Sequence, residues 1–203
     1  MTWAAILALG CQPDANEPPI YRNGDDYQEA LSKVRELTKE PFEALHEGFP
    51  ISEREKKNLL EADRLIDGMI AYKSDIYAPY VLKGLTKRAL GDFERAKKAF
   101  EQAMLLAPKD PKGDNRGTVG RVYDEMSTLF FEQNDFSGAE GYSETAVSLV
   151  PDDPSILTNA ASIKVQLNKP EEALSLLERA LKRDPNYARA LDLKKLVLMS
   201  RKK

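Results

Sequence analysis

The sequence predicts an all-α chain, a solenoid of helix-turn-helix units closed by a C-terminal capping helix. Three observations predict it. Apolar residues recur at helical spacing from about residue 25 onward. Small residues stand at matching places in successive stretches: Ala96 and Ala103, Ala139 and Ala146, Ala173 and Ala180. Helix-breaking residues punctuate those stretches, with Gly91, Pro108, Pro151 and Pro185 falling between apolar runs.

Composition bounds what such a chain does. With 203 residues, 42% hydrophobic and 31% charged, it can bury a core as one or two domains. A net charge of -3 and no sustained basic stripe argue against binding nucleic acid. The one basic cluster, Arg201-Lys202-Lys203, reads as a complement to a helix C-terminus rather than a binding site. One Cys and one His give no basis for a disulfide framework, a Cys/His zinc site or a Cys-His catalytic pair, so no metal and no cofactor are expected. His46, beside Gly48 and Pro50, reads as a surface or half-buried histidine. Carboxylates such as Glu171-Glu172 sit at helix starts, where acids are expected in any case, so the chain reads as non-enzymatic.

The first stretch, MTWAAILALGC, is apolar from Trp3 to Leu9 and ends in Ala8-Leu9-Gly10-Cys11, after which the chain turns polar and Pro-rich. This pattern resembles the end of a bacterial lipoprotein signal. The resemblance implies that residues 1–11 are a truncated leader, that Cys11 is acylated, and that the protein is held on a membrane of the cell envelope. Several acyl chains anchor far more firmly than one. The apolar run is too short for a transmembrane helix, and no Lys or Arg precedes it. The other reading is a cytoplasmic protein with an apolar N-terminus. Residues 12–24, rich in Pro, Asn, Asp and Gly, read as a flexible tether.

Residues 25–76 form the N-terminal helices. Tyr27, Ala30, Leu31, Val34 and Leu37 share a helical face, which Pro41 is expected to interrupt, starting a short helix through Leu45. Ser52-Glu53-Arg54-Glu55 has the form of a capping box and opens a helix whose apolar side includes Leu59, Ala62, Leu65, Ile66, Met69 and Ile70. Counted back from Tyr77 by one unit length, Ala62 and Ile66 occupy the second helix of a degenerate unit, whose first helix is spoiled by Gly48 and Pro50.

From Tyr77 to Asp110 one complete unit is legible. Tyr80, Phe93 and Phe100 are bulky wedges, while Gly84, Ala96 and Ala103 are small where helices cross. Leu90-Gly91-Asp92 supplies a left-handed turn and a helix cap, and Pro108 a stop. At these positions the stretch resembles the tetratricopeptide repeat, a unit of about 34 residues, and departs from it at Lys83 and Lys87. The resemblance extends to Gly120–Asp153, through Tyr123, Ser127, Phe130, Phe136, Ala139 and Ala146, and to Pro154–Tyr187, through Leu157, Ala161, Ala173, Leu177 and Ala180. Residues 77–187 thus hold three repeats. The insertion PKGDNRGTV after Asp110 reads as a surface loop; Asp110, Asp114 and Asn115 lack the ligand spacing of a calcium loop. Residues 188–203 interleave Leu191, Leu193, Leu196, Val197 and Met199 with charge, as a capping helix does; the sharper reading is a helix that binds a partner.

In the family that the repeats resemble, first helices line a groove that binds a peptide or protein partner. Carried over, the groove positions include Val81, Leu85, Arg88, Arg121, Asp124, Thr128, Phe131, Ser155, Thr158 and Ser162. Packing between neighbouring repeats is an equally open role for several of them. Some family members grip a carboxylate with a basic clamp. Asn159 and Arg189 match two clamp positions, but Asp124 and Thr128 stand where Lys and Asn are required, and an acid there would repel a carboxylate. These resemblances together imply a non-enzymatic interaction scaffold, membrane-anchored through Cys11, or alternatively a soluble cytosolic adaptor.

Overall fold

The computed structural model describes residues 17–47, 49–107 and 116–200, without the side chains of His46 and Glu47. Cys11, Pro108, the Asp110, Asp114 and Asn115 stretch, and Arg201–Lys203 therefore lie outside the described residues. Two compact units divide the chain, Met1–Ser74 and Asp75–Lys203. Every regular element among the described residues is an α-helix.

In the first unit α1 (Gly24–Glu47) and α2 (Glu53–Tyr72) pack as a hairpin. Tyr27, Ala30 and Val34 of α1 are buried, as are Leu59, Ala62, Leu65, Ile66 and Met69 of α2. The expected break at Pro41 does not occur: α1 runs through it as one helix. Pro41 continues the seam of Tyr27, Ala30, Val34 and Thr38 and is itself buried, so ring burial offsets the missing N–H bond. α1 ends at Glu47, ahead of Gly48 and Pro50, so the first helix of the degenerate unit, counted from residue 43, is cut short there. The capping box at α2 forms as the sequence predicts: the Glu55 N–H donates to Ser52 Oγ at 3.3 Å and the Ser52 N–H to Glu55 Oε2 at 2.7 Å.

Residues 17–23, which the sequence places in a flexible tether, instead lie on α2. Tyr21 donates its hydroxyl to the Leu65 carbonyl at 2.9 Å, and Arg64 donates to the Glu17 carbonyl at 3.1 Å. Gly68 makes the approach possible, since a Cβ there would stand 2.5 Å from the Pro19 carbonyl oxygen. One ring, one guanidinium and one missing side chain hold a segment that composition alone reads as loose.

The second unit stacks three hairpins and a last helix: α3 (Tyr77–Ala89) with α4 (Phe93–Leu106), α5 (Arg116–Glu132) with α6 (Phe136–Leu149), α7 (Pro154–Gln166) with α8 (Pro170–Arg183), and α9 (Ala188–Ser200). The helix α5 starts four residues before the expected repeat boundary at Gly120. The paired alanines explain the spacing. Ala96, Ala103, Ala139, Ala146, Ala173 and Ala180 are all fully buried at the helix crossings. At Gly84 the Phe100 ring fills the place a Cβ would take.

The turns repeat as strictly as the crossings. Gly91, Asn134 and Asn168 all take positive φ, at 77°, 61° and 57°. After each, the next residue donates its N–H five residues back, Asp92 to Lys87, Asp135 to Phe130 and Lys169 to Lys164, at 2.9–3.0 Å. This is the Schellman closure that ends a helix on a left-handed residue. Asp92 and Asp135 then cap the second helices by accepting from Arg95 and Gly138.

Candidate functional site: the face of the first helices

Within the second unit the first helices touch in succession, α3 with α5, α5 with α7 and α7 with α9. The first helices therefore share a face within this unit, and the residues carried over as groove positions are placed on them as follows. Val81 and Leu85 are half-buried and pack on the cluster of Phe100, Val122, Met126 and Leu129. Phe131 turns to its own hairpin, its ring 5.4 Å from that of Phe136. Three hydroxyls bond back into their helices: Thr128 Oγ1 to the Asp124 carbonyl at 3.0 Å, Thr158 Oγ1 to that of Pro154 at 2.7 Å, Ser162 Oγ to that of Thr158 at 3.1 Å. Ser155 belongs to the α7 cap, where its N–H donates to Asp153 Oδ1 at 2.9 Å. Arg121 stands exposed, 3.6 Å from Asp153.

The remaining two predicted residues build a polar chain across the repeats. Arg88 of α3, its side chain only 10% exposed, lies 3.4 Å from both Glu125 and Glu132 of α5. Asp124 of α5 accepts from Asn159 of α7 at 3.0 Å, and Asn159 accepts in turn from Arg189 of α9 at 3.0 Å. Arg189 can only donate, so the Asn159 amide must turn its oxygen to Arg189 and its NH2 to Asp124. The structure thus brings Asp124, Asn159 and Arg189 together, the residues read in the sequence against a carboxylate clamp, as links between repeats.

This chain is not balanced. Asp124 is 8% exposed. Burial, reinforced by the neighbouring Glu125 charge, pushes its pKa from 3.8 up to about 7, against the opposing hydrogen bond from Asn159. Burial likewise raises the pKa of Glu132, with Arg88 opposing. Asp124 Oδ1, Glu125 Oε2 and Arg88 Nε are buried without a hydrogen-bond partner, the Arg88–Glu125 pair being close in charge but outside bonding geometry. Glu125 was missed in the sequence because its position is not among the groove offsets carried over; only its contact with Arg88 reveals it.

A second charged cluster links α6, α7 and α8. Lys164, with its side chain 8% exposed, reaches Glu140, Glu144 and Glu172 at 2.7, 2.8 and 2.9 Å, while Lys169 also reaches Glu140 at 2.6 Å. Burial opposes the Lys164 charge, but the three carboxylates outweigh it and hold its pKa above the usual lysine range. Beside it a cavity of about 340 Å³ opens between the same helices, lined by Val147, Pro151, Ala160, Leu176 and Arg179 among others. Among the described residues no group of His, Cys, Asp and Glu is placed to hold a metal ion, and no helix is long and apolar enough to cross a membrane.

Comparison with known proteins agrees with this architecture. Tetratricopeptide-repeat family models match residues 77–110 and 130–197. The curated relative Protein KINESIN LIGHT CHAIN-RELATED 3 of Arabidopsis thaliana is 31% identical over 103 residues, 46% of this chain and only 16% of its own length. Among solved structures, MamA superposes with a TM-score of 0.62 at 13% identity, covering 88% of this chain and 84% of its own. The first repeat domain of Spaghetti (RPAP3), bound to the HSP90 peptide SRMEEVD, superposes with a TM-score of 0.55 at 20% identity, covering 64% of this chain and 97% of its own. By its helix crossings, its repeated turns and these likenesses, the chain carries tetratricopeptide repeats in an all-α solenoid.

Proposed function

We propose that the protein is a non-enzymatic scaffold whose face of first helices holds a peptide or protein partner. The observation that carries this reading is the shared face of α3, α5, α7 and α9, along which an unbalanced polar chain runs from Arg88 to Arg189. A structure built only to stack repeats gains nothing from buried carboxylate oxygens left without a hydrogen bond, as Asp124 Oδ1 and Glu125 Oε2 are. The solved relative that holds a peptide supports the same use of the fold.

Photo-crosslinking tests it. A photoreactive residue at Arg121 or Ser155 should give a defined adduct in native extract, whereas one at Lys98, exposed on α4, should not. Equal labelling at all three positions would overturn the reading.

We further propose that Cys11 is acylated and holds this scaffold on a membrane of the cell envelope, on the support of the apolar Trp3–Leu9 run ending in Ala8-Leu9-Gly10-Cys11. Intact mass and fractionation of the native protein decide the matter. A lipid-sized increase and membrane association, both lost in Cys11→Ser, are the expected result; an unmodified Cys11 behind an intact Met1 would make the protein a soluble adaptor.

A further inference from the structure

We propose that the α3–α5 part of the groove selects a partner segment presenting a Lys or Arg side chain, which docks on the Glu125 and Glu132 carboxylates. This rests on the groove reading above and names the chemistry of its ligand. Glu125 and Glu132 lie two helical turns apart on one face of α5, and their side chains are 27% and 30% exposed, so both can be reached. Asp124 adjoins Glu125 and adds its field to theirs once it ionises, above about pH 7.

Two carboxylates, Glu125 and Glu132, share one guanidinium, while Asp124 accepts from Asn159. Arg88 lies 3.4 Å from each glutamate, neither contact is short, and its Nε has no hydrogen-bond partner. Of the two arginines nearby in the same seam of first helices, Arg121 faces Asp153 and Arg189 donates to Asn159. Glu125 Oε2 and Asp124 Oδ1, the latter on a side chain more than nine-tenths buried, also have no hydrogen-bond partner. Burial raises the pKa values of Asp124 and Glu132, and the Glu125 charge beside them adds to the shift. A second cation entering from the partner meets the accessible parts of the Glu125 and Glu132 side chains and adds positive charge beside that of Arg88. An acidic peptide of the kind held by the superposable Spaghetti domain, SRMEEVD, would meet repulsion instead.

The test uses the purified full chain and pools of short peptides that are random except for a central Arg, Ala or Glu, with binding read by fluorescence polarisation. The Arg pool should bind about fivefold or more tightly than the Ala pool, and the Glu pool most weakly. The preference should shrink as salt is raised. It should vanish in the isosteric Glu125→Gln/Glu132→Gln variant and survive in Glu94→Gln, an exposed acid on α4. Circular dichroism of each variant verifies the fold. Equal binding of all three pools, or a preference that persists in the double variant, overturns the charge selection while leaving the groove intact. No binding by any pool overturns both the selection and the groove.

Discussion

Two seams of the second unit hold charged side chains out of water in opposite ways. Between α6, α7 and α8, Lys164 is surrounded by Glu140, Glu144 and Glu172, each within 2.9 Å, and its three donors are all used. Between α3, α5 and α7, Arg88 stands 3.4 Å from two of three acids, and three polar atoms remain unbonded. The first seam has its cation's donors all used, and the second leaves polar atoms without a hydrogen bond. Charge burial by itself therefore does not distinguish structure from function in this fold; the count of satisfied donors and acceptors does.

The comparison can be broken most forcefully at Lys164. Removing the cation in Lys164→Met leaves three carboxylates facing one another. Because Glu144 and Glu172 are more than half exposed, the loss should be moderate, about 2–3 kcal/mol by urea denaturation. A loss below about 0.5 kcal/mol would show that this seam, too, is not structural. An apolar yardstick of similar size is Ala103→Leu, which overpacks a fully buried helix crossing and should cost about 1–3 kcal/mol.

At the other seam the effect should reverse in sign. The folded pKa of Asp124, about 7, lies above its ordinary value of 3.8, so the native state binds a proton that the unfolded chain has already released between those limits. Stability conferred by this group is present below about pH 4 and is lost as pH rises through about 7. Asp124→Asn, neutral throughout, should match the parent near pH 4 and exceed it by about 1–3 kcal/mol at pH 8. Urea midpoints across that range measure it, and a variant less stable than the parent at pH 8 would mean that the ionised carboxylate is well served where it is. The smallest effect belongs to Lys98→Ala, on the exposed side of α4, which should stay within about 0.5 kcal/mol of the parent.

The architecture was legible because the residues that set it are irreplaceable on steric grounds. Ala96 and Ala103 can only be small where two helices cross, and Gly91 sits where φ is 77°. Positions 134 and 168, at the same place in later repeats, carry Asn instead, a residue that also tolerates this region, so the turn is written in two alphabets. Pro41 misled for the opposite reason: its local preference points to a break, and its burial in the unit outweighs that preference. Residues 17–23 misled likewise, because contacts with Leu65, Arg64 and Gly68 of α2 weigh more than the composition of the whole segment. The groove was legible as a set of positions, not as a chemistry. Asp124 could be read as hostile to a carboxylate, but its pairing with Asn159 and the place of Glu125 beside Arg88 depend on how α3, α5 and α7 meet, which no spacing within one repeat encodes.

The glycine at position 68 carries a consequence for the life of the protein as a substrate of proteases. A protease needs several residues of extended, detachable chain, and residues 17–23 are withheld from it by the notch that Gly68 leaves for Pro19 and by the Tyr21 hydroxyl on Leu65. One methyl group, in Gly68→Ala, closes the notch and lifts that strap without touching the solenoid. Cleavage there would part the folded repeats from the residues before them, Cys11 included, so a single α2 residue guards that junction.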